Sequence, residues 1–313
     1  MPGALLIGAN SFLGRSTHRL LRERGMSVVG TSRRGDGGLI ACDLLDAVKV
    51  DEIVRQVAPN VTINCTGATS SEDPAVLVEV HVRGTLNLIM ATRRSAADGV
   101  LVLIGSAAEY GRVPIESLPI TEASCASPVS MFGATKLSQT NLAMAAAAAW
   151  ELRVTTLRPF NLLGPGLPAH YFAGAFARRL LEERARRPSD EVGVAEVTVS
   201  NANATRDFVD VRDAAAAIIA AAEHPPAAGR GVIYNVATGT ETSILAVAER
   251  LCARAGTFRA VPAGLEPSRS SIDRSAGDAR RLNAETGWAP TINWESSVDD
   301  LWADLTTGSA ADR

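Results

Sequence analysis

The first half of the chain alternates short, wholly apolar runs with longer stretches whose apolar residues recur at helical spacing. Ala4 to Gly8 reads as a buried strand, and Phe12 to Arg24 as a helix that Gly25 can end. Ser27 to Thr31 is a second strand, and Val48 to Val57 a helix broken by Pro59-Asn60. Val61 to Cys65 and Val100 to Ile104 are further strands, separated by a long helix from Ala75 to Ala96. A helix from Val129 to Trp150 and a strand from Val154 to Leu157 follow. Apolar strands that alternate with helices predict a parallel sheet covered on both faces. Right-handed crossovers make it α/β, a Rossmann-like doubly wound sheet.

Beyond Asn161 the periodicity loosens and Gly and Pro become denser, as in Leu163-Gly164-Pro165-Gly166-Leu167-Pro168. The pattern predicts a dinucleotide-binding domain from 1–161 plus about 208–237, in which Val209 to Ala222 returns to the main sheet. A smaller C-terminal substrate lobe is expected from about 162–207 plus 238–313. Trp150 is expected to pack on the helix pair, and Trp288 and Trp302 to anchor the small lobe.

Composition narrows the partners. The 313 residues are 46% hydrophobic, enough for a sizeable core, which excludes global disorder. With 31 Lys+Arg against 34 Asp+Glu and no basic run, neither nucleic acid nor an anionic membrane is an expected partner. Four scattered cysteines form no CxxC pair, which argues against zinc or a disulfide framework and for a reducing compartment. The four histidines form no metal pattern. The N-terminal apolar run is too short for a signal peptide, and Leu142 to Trp150 too short for a bilayer span. A cytoplasmic location is the expectation.

Gly8-Ala9-Asn10-Ser11-Phe12-Leu13-Gly14 lies between the first strand and the first helix. That is where backbone N–H groups at a helix N-terminus bind a dinucleotide pyrophosphate. Gly8 allows the tight turn and Gly14 close helix–sheet packing. Ser11 stands at a position that is often glycine, and its hydroxyl is a candidate phosphate ligand. An acidic residue about 20 positions on would hold the ribose of NAD. Here Arg33-Arg34 stand there, two guanidiniums suited to the 2′-phosphate of NADP. The alternative is NAD, with Asp36 in the acidic role. Asp43-Leu44 are placed to contact the adenine.

Gly105-Ser106-Ala107-Ala108-Glu109-Tyr110-Gly111 follows the fourth strand, and Phe132-Gly133-Ala134-Thr135-Lys136 opens the next helix. With the glycine turn, these segments resemble the extended short-chain dehydrogenase/reductases, the NAD-dependent epimerase/dehydratase family. The resemblance runs on through Leu157-Arg158-Pro159-Phe160-Asn161, Thr205-Arg206-Asp207-Phe208, Tyr234-Asn235-Val236 and Thr286-Gly287-Trp288. It covers nearly the whole chain. Within the family the sequence is similar to GDP-4-keto-6-deoxymannose reductases and GDP-mannose 4,6-dehydratases, which act on nucleotide-linked hexoses.

The resemblance implies roles. Lys136 would hydrogen-bond the nicotinamide ribose and lower the pKa of a phenol one helical turn earlier, since tyrosine otherwise titrates near ~10. Ser106 would hold the substrate oxygen as it becomes an alkoxide. Cys65, Thr66, Gly67 and Pro159 would join Asn10, Phe12 and Leu13 around the cofactor. Ala107, Glu109, Asn161, Arg206 and Arg269 would touch a nucleotide-diphosphate sugar, whose charge guanidinium recognises bidentately. A homodimer through the helices at Ala75–Ala96 and Val129–Trp150 is also implied. His81 stands where the family has Asn and is expected to take over its backbone hydrogen bonds, while His170 and Tyr171 lie near the sugar.

Two departures matter. The residue four before Lys136 is Phe132, which has the shape of tyrosine and no proton. Losing a positioned acid costs about 10²–10⁴-fold. Three readings stay open: a deliberate Tyr→Phe change, a substitute donor (a water held by Ser106, or Tyr110, His170 or Tyr171), or a cofactor-binding protein without catalysis. The dehydratases place Glu two residues after the Ser/Thr, where this chain has Ala108. The expected activity is therefore NADP(H)-dependent reduction of a nucleotide-linked 4-keto-6-deoxyhexose, with an NAD-dependent epimerase as the alternative.

Overall fold

A computed structural model describes residues 3–68, 73–187, 193–264 and 272–307. The first half contains β1 (Ala4–Ile7), α1 (Phe12–Glu23), β2 (Val28–Ser32), β3 (Ile40–Ala41), α2 (Ala47–Val57) and β4 (Val61–Asn64). There follow α3 (Pro74–Val78) and α4 (Gly84–Ser95), joined by a π-turn at Glu79–Arg83, then β5 (Val100–Ile104) and α5 (Met131–Trp150). The second half contains β6 (Arg153–Pro159), β7 (Asn161–Leu163), α6 (Phe172–Arg186), β8 (Ala195–Val199), β9 (Thr205–Arg206) and β10 (Phe208–Asp210). It ends with α7 (Val211–Glu223), β11 (Gly231–Val236), β12 (Thr242–Ser243), α8 (Ile244–Ala255), β13 (Phe258–Pro262), α9 (Arg280–Thr286) and α10 (Trp294–Thr307).

The main sheet has seven strands in the order β11-β6-β5-β4-β1-β2-β3, and every pairing is parallel. Period-2 alternation sorts its side chains onto two faces. Leu5, Ile7, Leu101 and Leu103 pack on the side of α2, α4 and α5. Leu6, Ile63, Val102 and Ile104 pack on the opposite side, with Leu13, Leu21 and the alanine-rich α7. Both faces are dry, which explains why the strands read as unbroken apolar runs. The strand order reverses at β1, so a crevice opens at the C-terminal ends of β1 and β4.

The second core lies between α6, α8 and α10 and the β8–β13 pair, around Phe176, Leu180, Val247, Leu251, Leu301 and Trp302. Of the segment Val209 to Ala222, Val209 and Asp210 end β10 beside β7, and Val211 to Ala222 lie in α7, which packs beneath the main sheet. The expected placement of Trp288 needs correction. Leu282 and Trp288 belong to the core under the main sheet, and Trp288 Nε1 donates to the Asp213 carbonyl at 3.0 Å. The tail therefore serves both cores, because α9 docks against β11 and α7 before α10 reaches the small lobe. Trp150 lies under the Arg93 guanidinium at 4.5 Å, bridging α4 and α5 as the pattern predicts. The helical stretch Pro74–Ser95 is long and apolar enough to cross a membrane by length and composition, and here it packs against α2 and α5.

Candidate active site

The turn after β1 is closed by backbone packing. Gly8 has φ +73°, and a Cβ there would meet Thr66 Cγ2 at 2.8 Å. A Cβ on Gly14 would lie 2.0 Å from the Gly8 carbonyl oxygen, so only glycine lets α1 approach the turn. Ser11 caps α1: its hydroxyl accepts from Gly14 N at 3.0 Å and donates to the Cys65 carbonyl at 2.9 Å. Both hydrogen bonds of that hydroxyl go to protein groups, and Ser11 lines both hollows described below. The backbone from Asn10 to Leu13 still lines the crevice, at a helix N-terminus suited to a pyrophosphate.

Two adjoining hollows share this turn. One, of about 840 Å³, is lined by Gly8, Arg33, Arg34, Asp36, Asp43, Leu44, Thr66 and Gly67. It brings together the residues expected around the adenine and its ribose, with the two arginines and Asp36 side by side. The other, of about 610 Å³, holds Ser106, Ala107, Phe132, Lys136 and Pro159 together with Asn161 and Arg206 from the small-lobe side. His170 and Tyr171 line it too, their rings 4.4 Å apart, and Tyr171 reaches Phe12 at 6.3 Å. Those dimensions and donors fit a nicotinamide dinucleotide: a strand–turn–helix cradle at one end and a polar pair at the other.

Lys136 is 4% exposed. Its Nζ donates to the Ile104 carbonyl at 2.8 Å and to Gln139 Oε1 at 3.2 Å. Burial brings its pKa down to about 8, opposed by the negative Glu109 and by Cys65. Cys65, sealed beneath the turn, has its thiol pushed up to about 12 by burial. Ser106 caps the short turn after β5, accepting from Ala108 N at 3.1 Å, which holds its side chain at the strand end.

Glu109 does not touch the cleft. It is fully buried, with Oε1 accepting from Ser106 N at 2.9 Å and Oε2 paired with Arg158 at 2.7 Å. The substrate contact expected of it is corrected: the side chain turns under the sheet and fixes the Ser106 backbone. Tyr110 is likewise sealed, its hydroxyl donating to Asn235 Oδ1 at 2.7 Å, which removes it as a proton donor. Arg206 donates to its neighbour's carbonyl, while Asp207 spends its carboxylate on Thr238, Gly239 and Gly277. Arg206 is therefore free of an Asp207 pair, and burial lowers its pKa against the pull of Asp273. Arg269 lies outside the described residues.

His81 sits in the π-turn, a helix distortion that recurs at functional sites. Its Nε2 accepts from Ala68 N at 3.2 Å, and its Nδ1 lies 2.9 Å from Thr135 Oγ1, whose own proton goes to the Phe132 carbonyl. The neutral Nδ1–H tautomer satisfies all three. Burial and the nearby Lys136 charge push its pKa down to about 3. Its ring meets Phe132 edge-on at 5.6 Å. Two further residues shape the site, one in the cleft and one buried behind Lys136. Arg15, directly after Gly14, lines the cleft and reaches the Gly166 carbonyl at 3.3 Å. Gln139 follows Lys136 by three residues, a spacing that puts both on one helix face.

Fold and cleft together define a Rossmann-type protein that binds a nicotinamide dinucleotide at a topological switch point. The profile of the NAD dependent epimerase/dehydratase family matches residues 4–237, and the chain belongs to that family. Its cofactor is NADP or NAD. A GDP-6-deoxy-D-mannose reductase of Pseudomonas aeruginosa is 28% identical over 84% of this chain and 85% of its own length. A dTDP-6-deoxy-L-talose 4-dehydrogenase (NAD(P)(+)) of Kitasatospora kifunensis is 26% identical over 98% and 96%. The solved structure of RMD from Pseudomonas aeruginosa, complexed with NADPH, superposes with a TM-score of 0.85 at 25% identity, covering 98% of this chain and all of that one.

Proposed function

We propose that the chain reduces a nucleotide-linked 4-keto-6-deoxyhexose with NADPH. One observation carries this reading: a single cleft sets Ser106 and Lys136 on the sheet side against Asn161 and Arg206 on the small-lobe side. The first pair suits a carbonyl and a ribose, and the second a diphosphate. Names of two relatives support the sugar class, since one reduces a GDP-linked and the other oxidises a dTDP-linked 6-deoxyhexose. NADP rather than NAD is favoured by Arg33 and Arg34 beside the adenine hollow. Bound nicotinamide supplies the hydride; the chain supplies position and proton. Ser106 Oγ donates to the carbonyl oxygen as charge develops there. Arg206 holds the diphosphate and so fixes the hexose over the cofactor site. Ala108 leaves no carboxylate where dehydration needs one. The exposed apolar Val129 and Met131 at the start of α5, with Val76, Val78 and Leu86 on α3 and α4, suit the homodimer.

The test is oxidation of NADPH and of NADH, followed by loss of nicotinamide absorbance, with GDP- and dTDP-linked 4-keto-6-deoxyhexoses. NADPH turnover with either sugar is expected. NAD(H) that co-purifies with the protein, together with 4-epimer exchange, would establish the epimerase instead. The Phe132 position favours one further reading, a binder without turnover, which predicts ligand-induced stabilisation and no oxidation.

A further inference from the structure

We infer that Lys136 is the proton source of this enzyme, delivering through one water molecule beside the Phe132 ring. The inference rests on the reductase reading above. Phe132 lines the same cleft one helical turn before Lys136, and its ring ends one oxygen short of a tyrosine. Ser106, Phe132 and Lys136 line one cleft, so a water beside the ring would have Lys136 Nζ, Ser106 Oγ and the substrate oxygen as partners. Two of the three ammonium protons of Lys136 go to Ile104 and Gln139. The third is left for the cleft, next to Gly67, where a Cβ would stand 3.7 Å from Nζ.

The titratable groups packed around Lys136 are committed to protein partners. Tyr110 and Glu109 are sealed away from the cleft, and the Glu109 charge is matched by Arg158. His81, facing Lys136 across Gly67, holds its single proton on Nδ1 toward Thr135. Cys65 lies beneath Lys136 as a thiol. His170 and Tyr171 line the same cleft from the small-lobe side, their rings tilted and 4.4 Å apart, and burial leaves both poor donors, lowering the His170 pKa and raising that of Tyr171. An ammonium that titrates near neutrality is matched to general-acid work, and burial brings Lys136 there.

Composition adds an independent argument. Only two lysines, Lys49 and Lys136, stand among the 31 basic residues of the chain. Arginine serves everywhere else, yet an arginine holds its proton too tightly to donate it. A role limited to charge or to hydrogen bonding the ribose is one that arginine can fill.

The step balances. The carbonyl carbon gains hydride from reduced nicotinamide, and its π pair moves onto oxygen. That oxygen takes a proton from the water, the water takes one from Nζ, and the neutral amine is recharged from solvent.

Lys136→Arg is the decisive variant. It should keep NADPH binding, read by nucleotide fluorescence, and lose turnover by about 10²-fold or more. Adding Phe132→Tyr to Lys136→Arg should restore at least tenfold, because a phenol then donates. Wild-type kcat should fall as pH rises through about 8. With lysine labelled at Nζ, the NMR spectrum contains two signals, assigned by Lys49→Arg, and the Lys136 signal should titrate near that pH. Turnover retained by Lys136→Arg, or a kcat flat through that range, overturns the inference. Turnover in Phe132→Tyr but none in the wild type overturns it while the reductase reading stands. Turnover in neither overturns that reading and the inference with it.

Discussion

Glu109 and Arg158 meet at 2.7 Å beneath the strand end that carries Ser106, and neither reaches solvent. The same carboxylate accepts from the Ser106 backbone, and the Arg158 guanidinium lies 4.6 Å over the Tyr110 ring. Removing one member strands the other charge in a dry site. Glu109→Gln or Glu109→Ala should therefore destabilise the fold by about 3–5 kcal/mol. Chemical denaturation measures the loss. A double replacement, Glu109→Leu with Arg158→Met, should be far milder than either single change, because no unpaired charge remains.

The Gly14 contact predicts a steric failure. Gly14→Ala drives a methyl into the Gly8 carbonyl, a backbone group that cannot swing aside, and against the Ser11 hydroxyl that caps α1. Overpacking of this kind costs about 1–3 kcal/mol. A lower melting temperature is expected, with loss of NADPH-induced stabilisation beyond what the fold change explains. Gly264→Ala, at a glycine that like Gly14 has no positive φ and whose Cβ would meet nothing within 4 Å, is the control for replacing glycine alone.

Arg33→Ala with Arg34→Ala should invert the coenzyme preference. A hydrogen bond to a charged group contributes about 1.5–3 kcal/mol, so each lost contact weakens NADPH binding about tenfold or more. NADH binding should stay the same or improve, since Asp36 remains in the hollow. Calorimetric titration of both nucleotides checks the ratio.

His81 predicts an acid-labile fold. Its folded pKa lies near 3, below the ordinary value of 6.5, so the unfolded chain binds the extra proton between those limits. Stability from this group is complete above pH 6.5 and is lost as pH falls toward 3. His81→Asn cannot titrate, and its stability should decline less steeply across that window. Thermal unfolding of both proteins from pH 7 to pH 4 decides it.

The elements that could be read from the chain are those whose cause is local. Apolar runs such as Val100 to Ile104 and the glycines of the first turn announce themselves within a few residues. What escaped depends on distant partners. Glu109 looked like a cleft residue because its companion lies 49 positions away in β6. The partner of the Ser11 hydroxyl, the Cys65 carbonyl, is 54 positions off and was not legible either. Trp288 looked like part of the small lobe because the Asp213 carbonyl that receives its indole proton is not a neighbour in sequence. The lining of the cleft by Ser106, Lys136, Asn161 and Arg206 was legible through the family resemblance, whereas Arg15 and Gln139 emerge only from geometry.

The tail of the chain threads both cores, lodging Leu282 and Trp288 under the large sheet and Leu301 and Trp302 in the small lobe. Neither half can melt without unseating a piece of the other. Two hydrophobic interiors are thereby stitched into one cooperative unit, and heat should take the molecule apart in a single step.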